Sequence, residues 1–250
     1  MNRILALAVL PILIFGQAPP SFDVAVIKPA DPANNRLGMG FGPNGRTLTV
    51  DGLTVLGMVR LAYGLFADQL VLNPSLTNIS SWADSDRFDI LAKSEGTAPV
   101  SRDQQNAMFQ QLLGARFGLK IHRDKKEITI YSLVAGKNGP KMKQGEAAAP
   151  YLSAPAPGRL VGTKASMASL ASALGGRLGR PVFDDTGLAG GFDFSLSWVP
   201  DGMGGDPAVS DASGPSIFTA LQDQLGLRLE SKKAPVDVIV VDAVERPSVN

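Results

Sequence analysis

The feature that most constrains this chain is a repeat. At one constant offset, Phe109, Leu113, Phe117, Gly118, Leu119, Lys125, Ile128 and Ile130 fall without a gap on Ile217, Leu221, Leu225, Gly226, Leu227, Lys233, Val236 and Val238. At a second, slightly longer offset, Val55, Val59, Tyr63 and Gly64 fall on Leu170, Leu174, Leu178 and Gly179. A Phe-Asp pair lies between the two helices of each copy, as Phe88-Asp89 and Phe192-Asp193. Repetition of one amphipathic pattern implies an internal duplication of a unit ordered β-α-β-β-α-β-β. The expected fold is α+β: two related βαββαββ halves, each packing its helices on a mainly antiparallel sheet.

The local signals fill in this frame. Phe22 to Ile27 alternates like a half-buried strand that Pro29 ends, and Thr47 to Val50 and Phe88 to Ala92 also read as strands. Val55, Met58, Val59, Ala62 and Tyr63 recur at helical spacing, and Gly64 closes that helix. Ser101, followed three residues later by Gln104, opens a helix with Phe109, Leu112, Leu113 and Phe117 on its buried face and Gly118 as its cap. Strands are expected at Leu119 to His122 and Ile128 to Val134. In the second half, Ser166 opens a helix carrying Leu170, Ala173, Leu174 and Leu178, capped by Gly179, and Phe192 to Leu196 is a strand. A helix from Ser216 to Leu225, capped by Gly226, leads to strands Leu227 to Glu230 and Val236 to Val241. The halves then run 19–143 and 159–250, joined by an Ala/Pro-rich linker at 144–158. Asn34 to Gly45 and Val199 to Pro215 read as loops.

Residues 1–18 read as a secretory signal peptide. Arg3 supplies the positive start, Ile4 to Phe15 is an uncharged apolar run, and Gly16 and Ala18 are small enough for a peptidase. The run is shorter than the roughly 20 residues a membrane-spanning helix needs, so cleavage and export are expected, with no span afterwards. Pro19 is an awkward neighbour for a cut after Ala18, and a cut after Gly16 is the alternative. The expected location is periplasmic or extracellular. With no cysteine, the chain forms no disulfide and no Cys-type zinc site, so packing and hydrogen bonds must hold it together. Its 24 basic and 23 acidic residues leave no charge block for nucleic acid or anionic lipid.

The search for chemistry starts at the lone histidine, His122. It reads as a surface strand residue, because no Gly-x-Ser-x-Gly elbow accompanies it. Asp185-Thr186-Gly187 has the form of an aspartic-protease loop, but such an enzyme needs two carboxylates sharing a proton and the chain has no second copy. Asp185 is therefore the least implausible catalytic residue, and a turn is the simpler role for it. Neither Asp84, Asp86 and Asp89 nor Asp201 and Asp206 follow the spacing of a calcium loop, and Asp89 and Asp193 read as solvated positions. The run Gly38-Met39-Gly40-Phe41-Gly42 lacks the lysine of a phosphate loop. No metal and no cofactor is expected. Trp82 and Trp198, beside loops at strand ends, are the candidate ligand-binding residues, with Tyr151 in the linker.

Several phrases resemble a known family: Phe22-Asp23-Val24-Ala25 leading to Ile27-Lys28-Pro29, Trp82 followed by Asp84 to Ile90, and Lys137-Asn138-Gly139-Pro140-Lys141. Leu178 to Val182 with Asp185 to Leu188, and Glu245-Arg246-Pro247-Ser248 with Asn250, belong to the same resemblance. The chain is similar over nearly all its mature length to a soil-associated bacterial family of exported proteins carrying a domain of unknown function. That domain also occurs attached to membrane metallopeptidases of the antibiotic-sensor type, which implies a sensory or binding role. The His-Glu-x-x-His helix of such a peptidase is absent here. The expectation is a non-enzymatic envelope module that binds a small molecule, a cell-wall fragment or another envelope protein. The alternatives are a hydrolase using Asp185 and a structural envelope component.

Overall fold

A computed structural model describes residues 20–34, 36–76, 80–200 and 214–247. The expected signal peptide, Asp201 and Asp206 lie outside the described residues.

The chain is an α+β protein. Its elements run β1 (Val24–Pro29), β2 (Gly38–Phe41), β3 (Thr47–Thr54), α1 (Val55–Tyr63), β4 (Leu70–Leu72), α2 (Ser80–Ser85), β5 (Arg87–Lys93), α3 (Arg102–Phe117) and β6 (Lys120–Ala135). They continue as β7 (Lys143–Gln144), β8 (Tyr151–Ala156), β9 (Arg159–Ala165), α4 (Met167–Leu178), β10 (Val182–Asp184) and β11 (Phe192–Ser197). Last come α5 (Ile217–Ala220), which runs on into a π turn at Leu221–Leu225, and β12 (Leu227–Ala243).

Two compact units emerge. Of the described residues, one unit contains those up to Tyr63, those of Ser81–Leu119 and those from Val244, and the other those of Gly64–Ser80 and Lys120–Ala243. In the first, an antiparallel sheet ordered β1-β5-β3-β2 buries Ile27, Leu48, Val50, Phe88, Ile90 and Ala92. Helix α1 contributes Val55, Met58, Val59 and Ala62 to the core, and α3 contributes Met108, Phe109, Leu113 and Phe117. Phe88 and Phe117 meet edge to face at 5.5 Å. Removing a core ring such as Phe117, which is fully buried, costs about 3–5 kcal/mol. The N-cap of α3 is as its sequence dictates: Ser101 Oγ accepts the Gln104 amide at 3.3 Å, and Gln104 Oε1 accepts the Ser101 amide at 2.9 Å. Gly118 ends the helix in the left-handed region at φ 57°.

The second unit holds a sheet ordered β7-β11-β9-β8, against which Leu170 and Leu174 of α4 and Ile217 and Ala220 of α5 are buried. It also holds a sheet ordered β10-β6-β12-β4. There β6 and β12 form one long antiparallel ladder from Leu227↔Ala135 to Ala243↔Lys120, while β10 runs parallel to β6 and β4 parallel to β12. The order β1-β5-β3-β2 in the first unit and β7-β11-β9-β8 in the second match position by position along the chain.

Three expectations need correction. The paired strands expected after Gly118 and after Gly226 are single strands of 16 and 17 residues. Their charged middles, Lys125 to Glu127 and Lys232 to Lys233, are exposed, and pairing between the two strands carries them through. The stretch 144–158, expected as a linker, contains β8, whose Pro155 is tolerated because β8 is an edge strand. The glycine-rich run at 38–41 is an edge strand too, paired with β3, and not a loop.

Candidate functional site

At the end of the first sheet, β1 and β5 pair in register with Pro29 opposite Phe88, and the Ala30 amide donates to the Arg87 carbonyl at 2.9 Å. This brings the turn after β1 beside the start of β5. The turn is braced by its own side chains: Asp31 Oδ1 accepts the Ala33 amide at 2.9 Å, and Asn34 Oδ1 accepts the Arg36 amide at 3.2 Å.

Here the first unit forms a half-open cavity of about 810 Å³. Pro29, Ala30, Pro32, Leu37, Phe88 and Pro247 give it apolar walls, and Asp31, Asn34, Ser85, Asp86, Arg87 and Arg246 give it polar ones. The prolines offer no amide donors and little freedom, so these walls are stiff. Leu37 is 59% exposed, an apolar side chain held open at the cavity rather than in the core.

Helix α2 positions one wall. Trp82 and Asp86 stand four residues apart, with the Asp86 amide donating to the Trp82 carbonyl at 2.8 Å, so both side chains project to one side. Arg246 engages both: its Nη2 lies 2.9 Å from Asp86 Oδ2, and its guanidinium carbon lies 5.2 Å from the centroid of the Trp82 ring. Ser85 Oγ donates to Asp86 Oδ1 at 3.2 Å, so both carboxylate oxygens are engaged. Trp82 thus sits on a helix, not on the loop expected of it. Arg246 was not singled out from the sequence, because its partners are distant in the chain.

The cavity floor depends on a bulge. The register of β3 on β5 slips between Val50 and Leu53, and Gly52 occupies the slip at φ 61°. The Arg36 carbonyl approaches so closely that a Cβ on Gly52 would sit 2.7 Å from it. Asp89 Oδ1 accepts the Gly52 amide at 3.0 Å, and Asp89 Oδ2 lies 3.7 Å from Lys28 Nζ. Asp89 is therefore a half-buried brace rather than the solvated residue expected. Asp193 takes the same part in the second unit, accepting the Lys164 amide at 2.7 Å where β9 slips against β11.

The other residues singled out lie elsewhere. Trp198 follows β11, half-buried against the second unit's core, with the Arg177 guanidinium 5.7 Å from its ring centroid. Tyr151 is exposed on β8. Asp184 forms the turn of the Asp-Thr-Gly run, accepting the Thr186 amide at 3.1 Å and its hydroxyl at 2.7 Å. Asp185 points the other way, onto Lys232 Nζ at 2.6 Å and the buried Ser132 hydroxyl. Lys232, and then Ser132, hold its carboxyl below the usual carboxylate range. That is the reverse of a carboxylate pair sharing a proton. His122 Nδ1 and Asp242 Oδ2 share a 2.6 Å hydrogen bond, and Asn73 donates to Asp242 Oδ1 at 3.0 Å. His122, and then Asn73, lower the Asp242 pKa. Among the described residues no cluster of three His, Asp or Glu side chains could hold a metal, and no helix is long and apolar enough to cross a membrane.

Fold and site together define an α+β protein with a stiff-walled, ligand-sized cavity lined in part by the paired Arg246 and Asp86, with Trp82 against Arg246 but outside the lining. The chain belongs to the family described as a protein of unknown function (DUF3738), which matches residues 57–244. Ser85, Asp86, Arg87 and Phe88 of the cavity wall lie inside the matched span, and its other wall residues lie outside it. No curated protein and no solved structure matches the chain.

Proposed function

We propose that this protein is a non-enzymatic binding module of the cell envelope that takes a small organic ligand in the cavity of its first unit. The observation that carries the reading is the cavity itself. Its volume of about 810 Å³ lies within the roughly 300–1,000 Å³ typical of small-ligand sites, and its walls combine rigid apolar surface with a few placed polar groups. By contrast, Asp185 is held charged by Lys232 and Ser132, and His122 is engaged by the Asp242 carboxylate, arrangements suited to holding strands together. Export is supported by Arg3 and the apolar run that follows it. We also read the two halves as copies of one ancestral unit, supported by their matching strand orders and by the matching roles of Asp89 and Asp193.

Titration of the full mature chain with the uncharged dye Nile red tests the binding reading. Saturable binding at one site is expected, and Ala30→Trp, which places an indole in the cavity, removes it. Equal binding by wild type and Ala30→Trp overturns the reading. For export, fusion of residues 1–18 to a reporter should carry it across the inner membrane, and retention in the cytoplasm counts against the location.

A further inference from the structure

The cavity's polar groups divide into two sets, and the division points to a ligand class. Asp86, Arg246 and Ser85 satisfy one another. Asp31 and Arg87 do not. Both are exposed, both border the cavity, and among the described residues neither makes an ion pair. Asp31 gives one oxygen to the Ala33 amide, and the Arg87 side chain makes no hydrogen bond among the described residues. One step beyond the Pro29↔Phe88 pair the Ala30 amide donates to the Arg87 carbonyl at 2.9 Å, so the backbone brings Asp31, next to Ala30, and Arg87 to the same end of the cavity lining.

We propose that the cavity takes a zwitterionic ligand, a short apolar peptide or amino-acid derivative, whose carboxylate pairs with Arg87 and whose ammonium pairs with Asp31. This deepens the binding reading above and rests on it. The four charged wall residues, Asp31, Asp86, Arg87 and Arg246, sum to zero. A purely anionic or purely cationic ligand would pair one free group and leave the other facing a like charge. A neutral apolar ligand would strip water from both without replacing it, and burying a charge unpaired is costly. Only a ligand carrying both charges on an apolar body satisfies Asp31, Arg87 and the walls of Pro29, Leu37 and Phe88 together. The guanidinium's paired donors suit a carboxylate, and the Asp31 oxygen left free by Ala33 suits an ammonium.

The test is calorimetric titration of the full mature chain with trileucine, compared with its N-acetylated, C-amidated and doubly capped forms. Because both groups are solvent-exposed, each cap should weaken binding about three- to tenfold rather than abolish it. Arg87→Gln should erase the preference for a free carboxylate and keep the preference for a free amine, and Asp31→Asn should do the converse. If the doubly capped peptide binds wild type as well as trileucine does, the charge assignment is overturned and the cavity reading stands. If trileucine fails to bind while Nile red binds and Ala30→Trp blocks it, the ligand class is overturned alone. If neither binds, both readings fall.

Discussion

The Asp89 carboxylate accepts the backbone amide of Gly52 at 3.0 Å, tying the middle of β5 to a bulge in β3 on the floor of the cavity. The bulge lets the chain at Arg36 and Leu37 pass close enough to shape one wall. Asp89→Ala leaves a buried amide without its acceptor and frees Lys28, so a loss of about 1–3 kcal/mol is expected. Asp89→Asn keeps an acceptor oxygen and should lose less. Urea unfolding followed by far-UV circular dichroism measures both, and equal losses would show that the charge, not the hydrogen bond, matters.

Gly52→Ala should disturb the same floor by another route. At φ 61° an L side chain is strained, and its Cβ would meet the Arg36 carbonyl at 2.7 Å. The expected result is a drop in stability of at least about 1 kcal/mol together with weaker Nile red binding. A stable variant with unchanged binding would remove the bulge from the account of the cavity.

The second unit supplies the mirror experiment. Lys164 holds φ 47°, a left-handed conformation that glycine holds at the corresponding bulge of the first unit. Lys164→Gly should relieve this strain and raise stability by up to about 1 kcal/mol, because Asp193 bonds the backbone amide and keeps its donor. A fall in the denaturation midpoint would mean that the lysine side chain contributes more than its backbone costs.

Much of this fold was legible because helix faces and caps are local. Ser101 with Gln104, Ser166 and Ser216 begin their helices as their sequence patterns imply, and Gly118, Gly179 and Gly226 all adopt positive φ. What escaped was set by pairing between distant strands. Leu70 to Leu72 is too short to announce a strand, yet it lies in register with Ile239 to Val241. The charged middles of β6 and β12 carry no strand signal by themselves, since each is ordered by the other. The site was less legible than the fold. Trp82 was visible as an aromatic near a strand, but its guanidinium partner comes from Arg246 near the far end of the chain. The repeated Phe-Asp pair was visible as a pattern, whereas the role of its aspartate required the bulges that only pairing creates.

Acid should expose the role of Asp185. Lys232 and Ser132 hold its folded-state pKa below the unfolded value, so its contribution is present at neutral pH and is lost as pH falls through the lowered folded value. Asp242, held low by His122 and then Asn73, adds to the same acid limb. Asp185→Asn should therefore destabilise the protein near pH 7, and the wild type's advantage over it should shrink below about pH 4, so the two curves converge in acid. Melting temperatures measured from pH 7 to pH 2.5 check this. Parallel curves would show that the Lys232 contact adds nothing to stability.

Arg246 can be separated from the scaffold because its contacts are exposed. A surface ion pair is worth about 0–1 kcal/mol and an exposed cation over an aromatic ring about 0.5–1, so Arg246→Ala should cost little stability. It should nevertheless uncover the Trp82 face and release Asp86 into the cavity wall. The chain has two tryptophans, and each lies beneath a different arginine, Trp82 beneath Arg246 and Trp198 beneath Arg177. Acrylamide quenching should therefore rise for one emitter in Arg246→Ala and for the other in Arg177→Ala, and Trp82→Phe should abolish the first change alone. Arg246→Lys keeps the charge but not the planar fork, and should restore quenching protection only in part. Nile red binding should weaken in Arg246→Ala and stay at the wild-type level in Arg177→Ala. Weakening in both variants, or in neither, would detach the Arg-Asp-Trp group from the cavity's function.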